Sequence, residues 1–167
     1  TPYLEQHIEG FQGPIEAMKF KTGQSNPTYL LKPPAKSYVL RRKPMGVLLK
    51  SAHAVDREHR VMTALQGSDV PVPETYHLCT DDEVIGSWFF VMSYVEGRIF
   101  WDPAFPELPQ EERGAYYDAM NDVLVALAKL SVQDVGLEDY GRSGNYFERQ
   151  IGRWSKQYRS SETESIP

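Results

Sequence analysis

The run Met18-Lys-Phe-Lys-Thr-Gly-Gln-Ser-Asn-Pro-Thr-Tyr-Leu-Leu-Lys32, followed by Tyr38-Val-Leu-Arg-Arg42, constrains the fold most. It reads as strand, polar loop, strand, short proline turn, strand. Its flanks carry β-suited residues (Phe20, Tyr29, Leu30, Leu31, Tyr38, Val39, Leu40), and the break at Gly23-Gln24-Ser25-Asn26-Pro27-Thr28 is rich in turn formers. Such a loop can aim backbone N–H groups and small hydroxyls at an anion, because Gly, Ser and Asn permit the required backbone geometry. An ordinary hairpin turn satisfies the same residues, and this stretch alone favours it.

Period-two alternation places Val39 and Arg41 on one face of the third strand and Tyr38, Leu40 and Arg42 on the other. Arg41, beside the modest Val39, is the better placed of the two arginines to reach over a cleft. The helix predicted over Ser51–Gln66, with Ser51 as N-cap and Gly67 as stop, gathers Val55, Val61, Met62 and Leu65 into an apolar stripe. Glu58 falls inside that stripe. A carboxylate facing a packed surface needs a cation or hydrogen-bond donors, so Glu58 either pairs, with Arg41 as the obvious partner, or reaches solvent at the stripe edge.

Two further strands follow, Thr75–Cys79 and Trp88–Val95, separated by the polar turn Thr80-Asp81-Asp82-Glu83. The second is almost continuously apolar, as a central buried strand should be. Ahead of all these, Tyr3, Leu4 and Ile8 suggest a short helix covering a sheet edge or core. The order of elements is therefore β-β-β-α-β-β. After Glu96 the composition shifts to a proline-rich connector, Asp102–Pro109. A helix over Gln110–Ser131 follows, with Tyr116, Met120, Val123, Leu124, Leu127 and Leu130 on one face. A turn with Gly136, Gly141 and Gly144 then leads to a helix over Asn145–Arg159. That helix has Phe147, Ile151, Trp154 and Tyr158 in one stripe, expected to be core.

With 167 residues the chain is long enough for one domain or two small lobes. A net charge of -5 argues against a nucleic acid or an acidic membrane as the main partner. A single cysteine, Cys79, excludes an intramolecular disulfide and fits a reducing cytoplasm. No apolar run approaches membrane-spanning length and no leader opens the chain, so a cytoplasmic location is expected.

Four segments in this order resemble a known family: Gly23-Gln-Ser-Asn-Pro-Thr-Tyr29, Val39-Leu-Arg-Arg-Lys-Pro44, Ser51-Ala-His-Ala-Val-Asp-Arg-Glu-His-Arg-Val-Met62 and Phe90-Val-Met-Ser-Tyr-Val-Glu-Gly97. Together with Arg149-Gln150 and Arg153-Trp154, they look most like the aminoglycoside phosphotransferase and choline kinase superfamily. The nearest branch is the one related to the N-terminal domain of some acyl-CoA dehydrogenase fusions. The resemblance implies an α+β, protein-kinase-like two-lobe fold. Residues 1–96 would form a five-stranded antiparallel nucleotide-binding lobe with one main helix, and residues 97–167 the hinge exit and first helices of an incomplete C-terminal lobe.

It further implies that Gly23, Gln24, Ser25, Asn26 and Thr28 lie over the phosphates of ATP. Arg41 would hold the strand-three position usually filled by lysine and pair with Glu58. Arginine keeps the charge but is longer and planar, so that replacement is not neutral. Val39 and Met92 would line the base pocket, with Ser93, Tyr94 and Val95 as the hinge. The activity implied is transfer of the γ-phosphoryl group to a small-molecule hydroxyl, with Mg²⁺ held by ligands beyond residue 167.

The departures carry equal weight. None of His7, His53, His59 and His77 has an Asp two places on, so the His-x-Asp catalytic loop of the superfamily is missing. The stretch Lys129–Val135 also lacks the Leu-His pair expected at the end of its helix. The resemblance thus implies no catalytic residue and no metal ligand within this chain, and an inactive chain as given. The alternative is a kinase-like module that binds nucleotide or protein without catalysis.

Overall fold

The computed structural model describes residues 1–21, 25–46, 53–142 and 144–162. The elements are α1 (Pro2–His7), β1 (Glu16–Lys19), β2 (Thr28–Lys32), β3 (Tyr38–Arg42), α2 (Val55–Leu65), β4 (Thr75–Cys79), α3 (Asp82–Ile85), β5 (Phe89–Ser93), α4 (Gln110–Lys129) and α5 (Tyr146–Ser161). The strands form one antiparallel sheet in the order β1-β2-β3-β5-β4. The chain leaves the sheet after β3, builds α2, and returns to place β5 between β3 and β4. This is the expected α+β arrangement.

β5 occupies that slot because its residues tolerate burial on both faces. Phe89, Phe90 and Val91 are sealed from solvent. Phe89 and Val91 join Leu4, Ile8, Phe11, Leu31, Tyr38 and Cys79 in the core on the α1 side. Phe90, pointing the other way, lies under α2, with its ring centroid 5.7 Å from that of His59. Alternation along one apolar strand therefore demands two covering layers.

α1 begins with proline in its first turn, where no N–H is needed, and buries Leu4 against the sheet. Its polar side makes a second anchor. The Tyr3 hydroxyl lies 3.0 Å from His77 Nε2, and His7 Nδ1–H donates to the Tyr3 carbonyl at 2.7 Å. The His7 and His77 rings sit 4.6 Å apart.

Several boundaries differ from those expected. The expected cap, Ser51, lies outside the described residues. The helix starts at Val55, and Ala54 at the N-cap has no side chain able to bond the free N–H groups. At the other end Gly67 takes a positive φ of 80°, just past the Gln66 C-cap. The polar turn after β4 winds into α3, because the Asp81 carboxylate accepts from the Glu83 N–H at 2.9 Å. β5 ends at Ser93, so Tyr94 and Val95 leave the ladder.

The largest departure concerns the two long helices. α4 and α5 bury none of their described residues, and Phe147, Ile151, Trp154 and Tyr158 are exposed rather than core. Periodicity marks a face that suits burial, but burial needs a second surface. In the connector, by contrast, Phe105 and Leu108 are buried, and Phe105 meets the rings of Phe100, Tyr116 and Tyr117.

The contact between α1 and β4 should make stability depend on pH. Burial, reinforced by the charges of His7 and His59, holds the His77 pKa below its ordinary 6.5, and burial also lowers His59. The unfolded chain therefore binds protons that the folded chain resists, and stability falls as pH drops through 6.5. Thermal melts between pH 8 and 5 should show that decline. His77→Gln, which keeps a polar partner for Tyr3, should flatten it.

Candidate nucleotide cleft

The site grows from the register of β3. Arg41 stands opposite Thr28 on β2 and Phe90 on β5, and Val39 stands opposite Met92. Residues opposite one another share a face, so Thr28, Val39, Arg41 and Met92 project together on the face covered by α2. Tyr38 enters the core on the opposite face, as alternation requires.

α2 then delivers Glu58. The Arg41 Nε–H donates to Glu58 Oε2 at 2.8 Å, and Nη1–H donates to Thr28 Oγ1 at 3.0 Å. Thr28 passes its own proton to the Asn26 carbonyl at 3.1 Å. Asn26 is buried, and its side-chain oxygen accepts from His53 Nδ1–H at 3.0 Å. The result is a bonded line from α2 through β3 and β2 into the loop before β2. Gly23 and Gln24 fall outside the described residues.

Arg41 separates two concavities. One, of about 690 Å³, is lined by Phe20, Thr28, Val39, Arg41, Pro73, Met92, Ser93, Tyr94, Val95, Gly97, Arg98, Ile99 and Trp101. The other, of about 750 Å³, is lined by Ser25, Asn26, Arg41, His53, Ala54, Arg57, Glu58, Val61, Met62 and Tyr140. The first is largely apolar and carries the guanidinium groups of Arg41 and Arg98. The second mixes polar and apolar walls and carries those of Arg41 and Arg57. Such a pair suits a ligand with a flat apolar part and an anionic tail.

Ser93 closes β5 by donating its N–H to the Glu74 carbonyl at 2.8 Å and accepting from the Glu74 N–H through Oγ at 3.0 Å. That leaves the backbone at Tyr94 and Val95 free of the ladder along the cleft wall. Ser25, Asn26, Thr28, Val39, Arg41, Glu58, Met92, Ser93, Tyr94 and Val95 all line one or other of the two concavities.

Sequence reasoning missed Phe20, Pro73, Arg98, Ile99 and Trp101 in the first concavity, and His53, Arg57 and Tyr140 in the second. The Ile99-Phe100-Trp101 run after the hinge was the available signal. No local pattern pointed to Tyr140. Among the described residues no group of three or more His, Cys, Asp or Glu side chains gathers to hold a metal. None of the helices is long and apolar enough to cross a membrane, again among the described residues.

A five-stranded antiparallel sheet with one helix bracing a strand-three cation is the architecture of the kinase-like phosphotransferases. Residues 16–167 match the model of the phosphotransferase enzyme family, and the chain belongs to that family. A solved structure from Ralstonia eutropha JMP134, provisionally named an aminoglycoside phosphotransferase, is 51% identical with a TM-score of 0.83. It is matched over 99% of this chain and 48% of its own. An aminoglycoside phosphotransferase in ternary complex with ADP and hygromycin B shares the fold at 16% identity and a TM-score of 0.52, over 78% of this chain and 39% of its own.

Among curated relatives, the Arabidopsis thaliana probable acyl-CoA dehydrogenase IBR3 is 47% identical over 99% of this chain. Acyl-CoA dehydrogenase family member 10 of Mus musculus is 44% identical over 98% of it. The chain spans only 21% and 16% of the length of those two relatives.

The Arg41–Glu58 pair is partly exposed on both sides, at 27% and 35%. Solvent screening therefore keeps its contribution to stability to about 1 kcal/mol or less. Denaturant unfolding of Glu58→Gln should show a loss within that bound. A loss of several kcal/mol would mark the pair as a structural element of the fold.

Proposed function

We propose that this chain is the nucleotide-binding part of an ATP-dependent phosphotransferase that moves the γ-phosphoryl group to a small-molecule hydroxyl. The observation carrying this reading is that Arg41 lines both an apolar cleft and a more mixed, basic concavity, bonded at once to Glu58 and Thr28. In this reading adenine lies between Val39 and Met92, with its polar edge toward the backbone of Ser93 to Val95. The phosphates reach Arg41. Two of the guanidinium's five N–H donors are engaged by Glu58 and Thr28, and the others face the anion.

Glu58 orients the guanidinium, and Ser25 and Asn26 border the phosphates from above. Mg²⁺ would accompany the nucleotide, but the described residues do not suit it. Glu58 is engaged by Arg41, and no other carboxylate lines either concavity. The metal ligands and the residue that activates the hydroxyl would come from outside residues 1–167. By themselves residues 1–167 would bind nucleotide without transferring phosphate. A reducing compartment such as the cytoplasm suits the buried, unpaired thiol of Cys79.

A non-catalytic kinase-like module is the second reading, favoured by arginine in the place where the superfamily uses lysine. Calorimetric titration with ATP addresses the shared premise. Arg41→Ala should weaken binding at least tenfold, and Glu58→Ala should weaken it more than it lowers the melting temperature. Absence of wild-type binding would remove the nucleotide reading. ATP turnover by the full-length protein with a panel of hydroxyl compounds separates the enzyme from the module.

A further inference from the structure

The N-terminal half of α2, which carries Glu58, rests on few side chains of its own lobe. Val55 is buried, and Lys43 approaches Asp56 at 3.9 Å. The far end is anchored separately, where Thr63 and Gln66 bond to Thr75 Oγ1 of β4 at 2.7 and 2.9 Å. The first two turns also meet β3 and β5, through the Glu58–Arg41 bond and the His59 ring 5.7 Å from Phe90, and they take further contacts from the connection between α4 and α5.

Tyr140 grips Arg57 three ways. The Arg57 Nη2–H donates to the Tyr140 carbonyl at 3.0 Å, and the Tyr140 hydroxyl donates back to the Arg57 carbonyl at 3.3 Å. The guanidinium also lies 3.9 Å from the centre of the tyrosine ring. One turn on, Arg60 donates to both carboxylate oxygens of Asp139, with Nη1 to Oδ2 at 3.2 Å, and to the Gly136 carbonyl at 3.3 Å. Arg57 and Arg60 are three residues apart and share a flank of α2. Glu58, one residue on from Arg57, faces about 100° away toward Arg41.

The gripping turn is itself ordered by backbone bonds. Gly136 N–H donates to the Gln133 carbonyl at 3.1 Å, Leu137 N–H to Val132 at 2.7 Å and Tyr140 N–H to Leu137 at 3.0 Å. Gly136 supplies the positive φ of 67° that the turn requires.

We propose that the Gly136–Tyr140 turn is a clamp on α2, and that Tyr140 and Asp139, acting through Arg57 and Arg60, are positioning residues that hold Glu58 against Arg41. This rests on reading the cleft as the nucleotide site. Exposed ion pairs alone contribute little to such a grip, so Tyr140, which bonds main chain on both sides and stacks on Arg57, is the principal member. The Arg60 hydrogen bond holds the Asp139 carboxyl below its ordinary range, so the ionic half of the clamp stays charged at neutral pH.

The test is ATP calorimetry on the full-length protein with hydrogen exchange of residues 55–60, for wild type, Tyr140→Phe, Tyr140→Ala, Glu58→Ala and the Tyr140→Ala/Glu58→Ala double variant. Tyr140→Ala should weaken ATP five- to tenfold and speed exchange in those residues. Tyr140→Phe, which keeps the ring over Arg57 and loses one bond, should fall between. In the Glu58→Ala background Tyr140→Ala should add less than twofold. Wild-type affinity and exchange in Tyr140→Ala, or the same fold-loss in both backgrounds, overturns the clamp. If wild type binds no ATP, the nucleotide reading fails and exchange alone decides the clamp, with unchanged rates overturning it. Should Tyr140→Ala not fold, Tyr140→Phe is judged by the same criteria.

Discussion

Burial of Phe89, Phe90 and Val91 on both faces of β5 is the constraint from which the rest of the lobe follows. Each such side chain contributes roughly 1.5–3 kcal/mol when removed from water, and alternation sends Phe90 to one face and its neighbours to the other. One layer cannot satisfy that strand. The α1 side closes over Phe89 and Val91 with Leu4, Ile8 and Phe11. The other face must be closed by α2, the one long helix inserted between sheet strands. Once α2 lies over Phe90, Arg41, the residue paired with Phe90 in the neighbouring strand, lies beneath the same helix. The placement of Arg41 beside Glu58 is therefore a consequence of packing.

That pair is better suited to a ligand than to folding. Half-screened ion pairs add little to stability, and an apolar pair in the same positions would serve the core as well. Arg41 instead uses its planar fork to bond helix and sheet together while keeping donors for an anion. A lysine would present a single charge on a flexible stem and could not hold Glu58 and Thr28 in fixed directions at once. The arginine makes the cleft stiffer, at the cost of reach. Stiffness of that kind depends on α2 staying in register with β3.

Much of this was legible because the deciding patterns are short in sequence. Two-residue alternation in 38–42 put Val39 and Arg41 on one face, and the stripe 55–65 left Glu58 either to pair with a cation such as Arg41 or to reach solvent; the structure shows the pair. The continuous apolar run 88–95 marked the buried interior strand β5, although the middle place in the sheet belongs to β3. What stayed hidden depends on contacts far apart in the chain. Tyr140 and Arg57 are 83 positions apart, and nothing in the sequence around Tyr140 distinguishes it from the other tyrosines. The Tyr3–His77 anchor spans 74 positions and has no local signature either. The α5 stripe shows the opposite error. Its spacing specifies an apolar face, but spacing carries no information about whether a second surface meets it.

The distribution of burial gives the later part of the chain a particular relation to the cleft. Every buried apolar residue described lies at or before Leu108, and the core cluster around Phe89 and Val91 takes no residue from α4 or α5. Yet the turn joining those helices reaches back to α2, beside the carboxylate that orients Arg41. A segment that adds no core can still alter ligand binding if it touches the element whose position the site is most sensitive to. Its contacts are hydrogen bonds and a ring over a guanidinium, whereas the contact beneath α2 is the fully buried Phe90.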